Sequence, residues 1–190
     1  MPTDPMPTDL MPTDPERELD RVLRANETFA TGQFGRDGLA SLDPRPTRRL
    51  AVLACMDARL DVSRALGLGP GDAHVIRNAG GLATDDAIRS LAISRVALGT
   101  DTVLVVEHTR CGLLGLGDEA FRRELGDGAD VDLAVGFGGF DDLESNLRAQ
   151  VERITTHPWT AGMVVHGLIY DVATGRLRAP TIAPSPQPGG

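Results

Sequence analysis

The stretch LAVLACMDARLD, residues 50–61, carries an unbroken apolar run straight into Cys55, Asp57, Arg59 and Asp61. A continuous apolar segment with polar residues beyond it reads as a strand buried on both faces. AHVIR (73–77) and TVLVV (102–106) repeat the pattern, and MVVHGLIYD (163–171) completes it before a turn at Thr174 and Gly175. Between the second and third runs lies TDDAIRSLAISRVALG (84–99). Thr84 is placed as a cap, Asp85 and Asp86 stand at the positive end of the dipole, and Ile88, Leu91, Ala92 and Val96 form a stripe. That pattern predicts a helix. A second helix is expected from near Asp141, with Glu144 set for a capping-box contact and Leu143, Leu147, Val151 and Ile154 at helical spacing. A first one is expected over 16–31, behind Asp14 and Pro15, with Leu19, Val22, Leu23 and Ala30 on one face. Strands alternating with helices imply an α/β fold, a mainly parallel central β-sheet flanked by helices. In such sheets reactive groups gather beyond the carboxyl ends of the strands.

The chain has 190 residues, enough for one domain with its own core. Residues 1–15 read MPTDP MPTDL MPTDP, a proline- and acid-rich repeat expected to be disordered, with Met6 and Met11 each beginning a copy. The domain is expected over 16–183, followed by a flexible tail at 184–190. A net charge of −8 argues against nucleic acid or an anionic membrane surface as partner. No apolar stretch is long enough to span a bilayer and no export signal is recognisable, so a cytoplasmic protein with reduced cysteines is expected. All 19 basic residues are arginine. The absence of lysine excludes a GxxxxGK[ST] phosphate loop, a pyridoxal Schiff base and an amine nucleophile. CGLLGLG and GFGGF lack the GxGxxG arrangement that would suggest a dinucleotide.

Both cysteines adjoin strand ends. Cys55 follows LAVLA, and Cys111 lies three residues beyond His108, itself just past TVLVV. Taken singly, each of these residues suits a plain structural role, a buried thiol or a hydrogen-bonded imidazole. Together, two thiolates and an imidazole make a donor set for zinc, and with no third cysteine the fourth position is left for water or a side chain. Asp57 and Arg59 alone would be a surface ion pair. Beside a metal, the carboxylate can instead take the fourth position or accept a hydrogen bond there, with the guanidinium holding it off. RNAGG (77–81) reads as a tight turn with positive φ. His74, His157 and His166 read as solvated or core residues, any one of which could shuttle protons.

CMDAR at 55–59, VIRNAGG at 75–81 and HTRCG at 108–112 together resemble a β-class carbonic anhydrase, in order and spacing, over residues 16–183. The continuation ARLD and the following TDDAIRSL resemble its short bacterial branch most. The resemblance implies zinc held by Cys55, His108 and Cys111, with Asp57 and Arg59 as the catalytic pair and Asp57 able to become a fourth ligand in a closed state. It places Asn78 and Gly81 beside carbon dioxide or bicarbonate, and Gly112, grouped with them as a substrate-site residue, is expected to give the backbone room near zinc next to Cys111. It also implies a homodimer or homotetramer, with the cleft at the subunit interface and the N-terminal helix reaching over the partner. The implied reaction is hydration of carbon dioxide by a zinc-bound hydroxide. Two thiolates neutralise the ion and make its water less acidic than three neutral histidines would, so activity should rise into mildly alkaline pH. Carbonyl sulfide or carbon disulfide hydrolysis at the same site is the alternative within the fold. A non-catalytic zinc protein and a dithiol redox protein are alternatives of other classes, the latter disfavoured because no CxxC is present.

Overall fold

The computed structural model describes residues 14–36, 38–125 and 136–180. The expected tail at 184–190 and nearly all of the repeat at 1–15 lie outside them. The described residues fall into two units, one ending at Leu42 and one beginning at Asp43.

In the first unit α1 spans Pro15–Thr31, one residue longer than expected at its start. Asp14 Oδ1 accepts the Arg17 amide at 3.4 Å and its carbonyl accepts the Glu18 amide at 3.1 Å, which satisfies donors that the first turn leaves unpaired. The stripe of Leu19, Val22 and Leu23 is exposed. A short helix α2 (Gln33–Arg36) follows, and its Phe34 meets Phe29 edge to face at 5.9 Å. A 3₁₀ turn at Leu39–Ser41 ends the unit.

The second unit is built on a five-stranded sheet in the order β2-β1-β3-β4-β5. Its strands are β1 (Leu50–Cys55), β2 (Ala73–Asn78), β3 (Thr102–His108), β4 (Val164–Tyr170) and the two-residue β5 (Leu177–Arg178). The first four pair in parallel and β5 closes antiparallel on β4. Every residue of β1 is buried, as its unbroken apolar run requires. Alternate side chains then divide into two cores. Ala51, Leu53, Val103 and Val105 pack under α4 (Asp85–Val96) and α6 (Leu143–Thr156), against Ile88, Leu91, Leu147 and Ile154. Leu50, Val52 and Ala54 face the other way, towards Leu60 and Val62 at the start of the short helix α3 (Val62–Leu66). Truncation of such a buried aliphatic to alanine costs roughly 2–5 kcal/mol, so β1 is a rigid mount for whatever stands at its end.

The caps follow the sequence with one displacement. Thr84 Oγ1 accepts the Ala87 amide at the head of α4. At α6 it is Asp142, not Asp141, that caps, accepting the Ser145 amide at 2.8 Å, while Glu144 is engaged by Arg148 and Arg178. Helices α3 and α5 (Asp118–Glu124) and strand β5 were not expected from the sequence, being too short to show a period.

The chain leaves β1 for β2 on one side and returns to place β3 on the other, so the strand order reverses between β1 and β3. Ligands of open α/β sheets bind outside the carboxyl ends at such a reversal. Cys55 ends β1 and His108 ends β3.

Candidate metal centre

Cys55, His108 and Cys111 are all buried, and one donor atom from each lies within 4.8 Å of the other two. Strand ends hold the first two. Cys111 is brought back by the tight turn HTRC, in which Arg110 adopts φ 56° without being glycine, a conformation that costs about 1–3 kcal/mol and persists where its surroundings impose it.

The imidazole is oriented by its own backbone. His108 Nδ1 lies 2.9 Å from the Thr109 carbonyl, which can only accept, so Nδ1 carries the proton and Nε2 presents its lone pair to the sulfurs. Nε2 has no hydrogen-bond partner although fully buried, and among the described residues Glu107 Oε2 is the one other such side-chain atom. An orphaned buried acceptor aimed at two thiols suits a cation. Zinc bound by sulfur and imidazole separates its donors by about 3.5–3.8 Å, a spacing compatible with donors that all lie within 4.8 Å of one another.

Without a cation the two sulfurs share a proton. The Cys111 thiol donates to Cys55 and pulls its pKa far down, and the same contact pushes Cys111 up. Burial pulls the His108 pKa down, but contacts with Cys55 and the Thr109 carbonyl outweigh it and leave the net shift upward. The pocket therefore favours positive charge at its centre, and a divalent cation would ionise both thiols outright.

Asp57 stands at the rim. Its Oδ2 is 3.7 Å from His108 Nε2. Arg59 grips the carboxylate twice, Nε to Oδ1 at 2.9 Å and an NH₂ group to Oδ2 at 2.7 Å, and the Arg59 amide adds a third bond at 2.9 Å. These contacts hold the Asp57 pKa down at about 2, against a smaller opposing effect of burial. Arg59 is itself fixed by the Arg110 carbonyl at 3.0 Å, which the left-handed turn presents to it.

The remaining expected residues have backbone duties. Asn78 ties both ends of its amide to Leu82, donating to the carbonyl at 2.7 Å and accepting from the amide at 2.8 Å. At Gly81 (φ 69°) a Cβ would meet Cys55 N at 2.9 Å, so only glycine lets this turn lie against the end of β1. At Gly112 a Cβ would meet nothing within 4 Å, so space alone does not require glycine there. Of the other histidines, His74 bridges Ser94 Oγ (2.7 Å) and the Pro44 carbonyl (3.0 Å), His157 packs on Trp159, and His166 is exposed. None joins the cluster.

Two residues escaped the sequence reading. Burial pushes the Glu107 carboxyl up to about 8, with Asn146 Nδ2 donating to Oε1 at 2.8 Å. Arg77, at the end of β2, donates to the carbonyls of both Cys55 and Asp57. The sequence signal was its place at the head of the RNAGG turn, within VIRNAGG.

Residues 50–125 match the carbonic anhydrase family profile. The chain is 40% identical to β-carbonic anhydrase 1 of Mycobacterium bovis over 163 residues, covering 85% of this chain and 97% of the relative. It is also 40% identical to a carbon disulfide hydrolase of Acidithiobacillus thiooxidans over 154 residues, 70% of this chain and 77% of that protein. A crystal structure of carbonic anhydrase from Streptococcus mutans superposes with a TM-score of 0.77 at 39% identity, over 86% of this chain and 97% of the other.

Proposed function

Because the chain belongs to the β-carbonic anhydrase family, we propose that it hydrates carbon dioxide reversibly to bicarbonate and a proton, at zinc held by Cys55, His108 and Cys111. The observation that carries this reading is a carboxylate fixed in the ionised state 3.7 Å from the one unpartnered nitrogen of a buried Cys-His-Cys cluster. A structural zinc site closes with a fourth protein donor. Here the nearest candidate, Asp57, is held back by Arg59.

Zinc at this point supplies Lewis acidity, lowering the pKa of water so that a nucleophile is available near neutral pH. The chain supplies the rest. Asp57 Oδ2 accepts the nucleophile's hydrogen and so fixes which lone pair faces carbon dioxide. Arg59 keeps Asp57 ionised and anchored to the Arg110 carbonyl, off the metal. Leu82 and Leu113 converge on Gly80, where a Cβ would come within 3.1 Å and 2.7 Å of them, and give an apolar gas a dry surface beside the turn.

Identity to a carbon disulfide hydrolase as high as that to a carbonic anhydrase supports a second reading, hydrolysis of carbon disulfide or carbonyl sulfide by the same attack. Stopped-flow measurement of carbon dioxide hydration alongside turnover of both sulfur substrates separates the two. Hydration that dominates, with a rate rising between about pH 7 and 9 as expected for a titrating nucleophile, supports the proposal. Hydrolysis without hydration, or a flat profile, overturns it.

The reading includes a homodimer or homotetramer, supported by the exposed apolar stripe of α1. It also includes a cytoplasmic location, supported by two free buried thiols. Among the described residues no helix is long and apolar enough to cross a membrane.

A further inference from the structure

Arg77 is the penultimate residue of β2, the strand beside β1, and its guanidinium faces no carboxylate partner among the ion pairs of the described residues. Its Nε donates to the Cys55 carbonyl at 2.9 Å and an NH₂ group donates to the Asp57 carbonyl at 2.7 Å. One planar group thus spans the two carbonyls on either side of Met56. The Met56 amide in turn donates to the Asn78 carbonyl at 2.9 Å, so the end of β2 grips the CMD segment at three consecutive residues.

That segment carries the first metal donor and the reactive carboxylate. The Asp57 carbonyl also accepts the Leu60 amide at 3.0 Å, a bond local to the turn after β1, so the bridge from Arg77 is what ties it to the Cys55 carbonyl and to β2. Arg59 holds the Asp57 side chain, and does so from the turn after β1 rather than from the sheet. A guanidinium with two donors at fixed angle is suited to setting the distance between two acceptors, which an ammonium is not.

We propose that Arg77 is a positioning residue for the hydration reaction: by bridging the carbonyls of Cys55 and Asp57 it sets where the Asp57 carboxylate stands relative to the Cys55–His108–Cys111 cluster. This rests on the proposed function only for the reaction it serves. The placement itself is a property of the chain. With the bridge removed, the Asp57 main chain turns, and its carboxylate either withdraws from the reaction or moves onto the metal.

The test compares wild type with Arg77→Met, both zinc-loaded and full length, for kcat, KM, bound zinc and thermal midpoint, and repeats the comparison on cobalt-loaded protein by visible absorption. The expected result is full zinc occupancy, an unchanged midpoint, a kcat lowered by about tenfold to a hundredfold with KM nearly constant, and shifted cobalt bands. Arg77→Ala should regain activity when guanidinium is added to the assay, and Arg77→Lys should regain little. Wild-type kcat and wild-type cobalt bands in Arg77→Met overturn the proposal, as does a loss of activity that merely follows loss of zinc and ignores guanidinium. If Arg77→Met does not fold, cobalt-loaded Arg77→Lys decides, wild-type bands again counting against it. Should the wild type fail to hydrate carbon dioxide, the proposed function falls, while the cobalt comparison still decides whether Arg77 places Asp57.

Discussion

Two arginine–aspartate pairs stand at opposite ends of the same strands. Arg49 and Asp101 immediately precede β1 and β3, and Asp57 and Arg59 follow β1. Both pairs have their closest N–O contact at 2.7 Å, and in both the arginine depresses the carboxyl pKa. The aspartates differ in exposure, 52% for the side chain of Asp101 and 17% for that of Asp57. They differ more in company. Asp101 adds only the hydroxyl of Thr102, whereas Asp57 has the His108 imidazole at 3.7 Å with two thiols behind it. An ion pair is therefore not a functional signal in itself. The donors gathered beside one of these pairs make the difference, and that difference can be broken one piece at a time.

The largest break removes a donor. Cys111→Ala leaves one sulfur and one nitrogen where zinc needs three protein ligands, so affinity should fall by more than the roughly 10–100-fold typical of losing an outer contact. Metal analysis after dialysis should find zinc near zero, with hydration at background. Zinc retained at one per chain would mean that these three side chains are not the ligand set, and the contrast between the two pairs would lose its basis.

The next break leaves the metal and removes the carboxylate. Asp57→Ala should keep zinc and lower kcat by on the order of 10²-fold or more, the scale of a positioned proton acceptor. Since Arg59 holds the Asp57 pKa at about 2, the group is ionised well below neutrality. The ion pair's contribution is thus present above the ordinary carboxylate pKa and lost only as the pH falls towards 2. The wild-type rate profile should accordingly show no inflection from Asp57 between pH 5 and 9. Parallel loss of zinc and activity would make Asp57 structural.

Much of this difference was legible in the sequence because the fold's strongest features are local. LAVLA and TVLVV form strands because continuous apolar runs suit a sheet covered on both faces, and Cys55 and His108 follow at their ends by position alone. MVVHGLIYD forms a strand as well, although Val164 and His166 are exposed and the burial on both faces that its run suggested does not hold there. What stayed hidden depends on pairing across the sheet. Arg77 and Asn78 look alike as polar residues of a turn. Only the register that sets Cys55 beside Asn78 shows one bridging carbonyls and the other closing on Leu82. Glu107 reads as the polar end of a strand, and its neutral burial comes from α6, where Asn146 stands 39 positions away. The cap of α6 moved from Asp141 to Asp142 because adjacent aspartates both qualify locally and tertiary packing selects between them.

The smallest effect belongs to the other pair. Asp101→Asn removes a charge that solvent already screens, and exposed pairs of this kind contribute little. The main chain around it is held independently. The Arg49 carbonyl accepts the amides of Asp101 at 3.0 Å and Thr102 at 3.2 Å, and the Arg49 amide donates to the Pro46 carbonyl at 2.9 Å, so the left-handed conformation of Arg49 survives loss of the carboxylate. Zinc content, kcat and its pH profile should match wild type, and the thermal midpoint should scarcely move. If kcat instead falls while the protein stays folded and zinc-loaded, β1 and β3 transmit a change at their amino ends to the donors at their carboxyl ends. The buried strands would then be a mechanical link rather than a rigid mount, and company within a few ångströms would no longer account for what separates the two pairs.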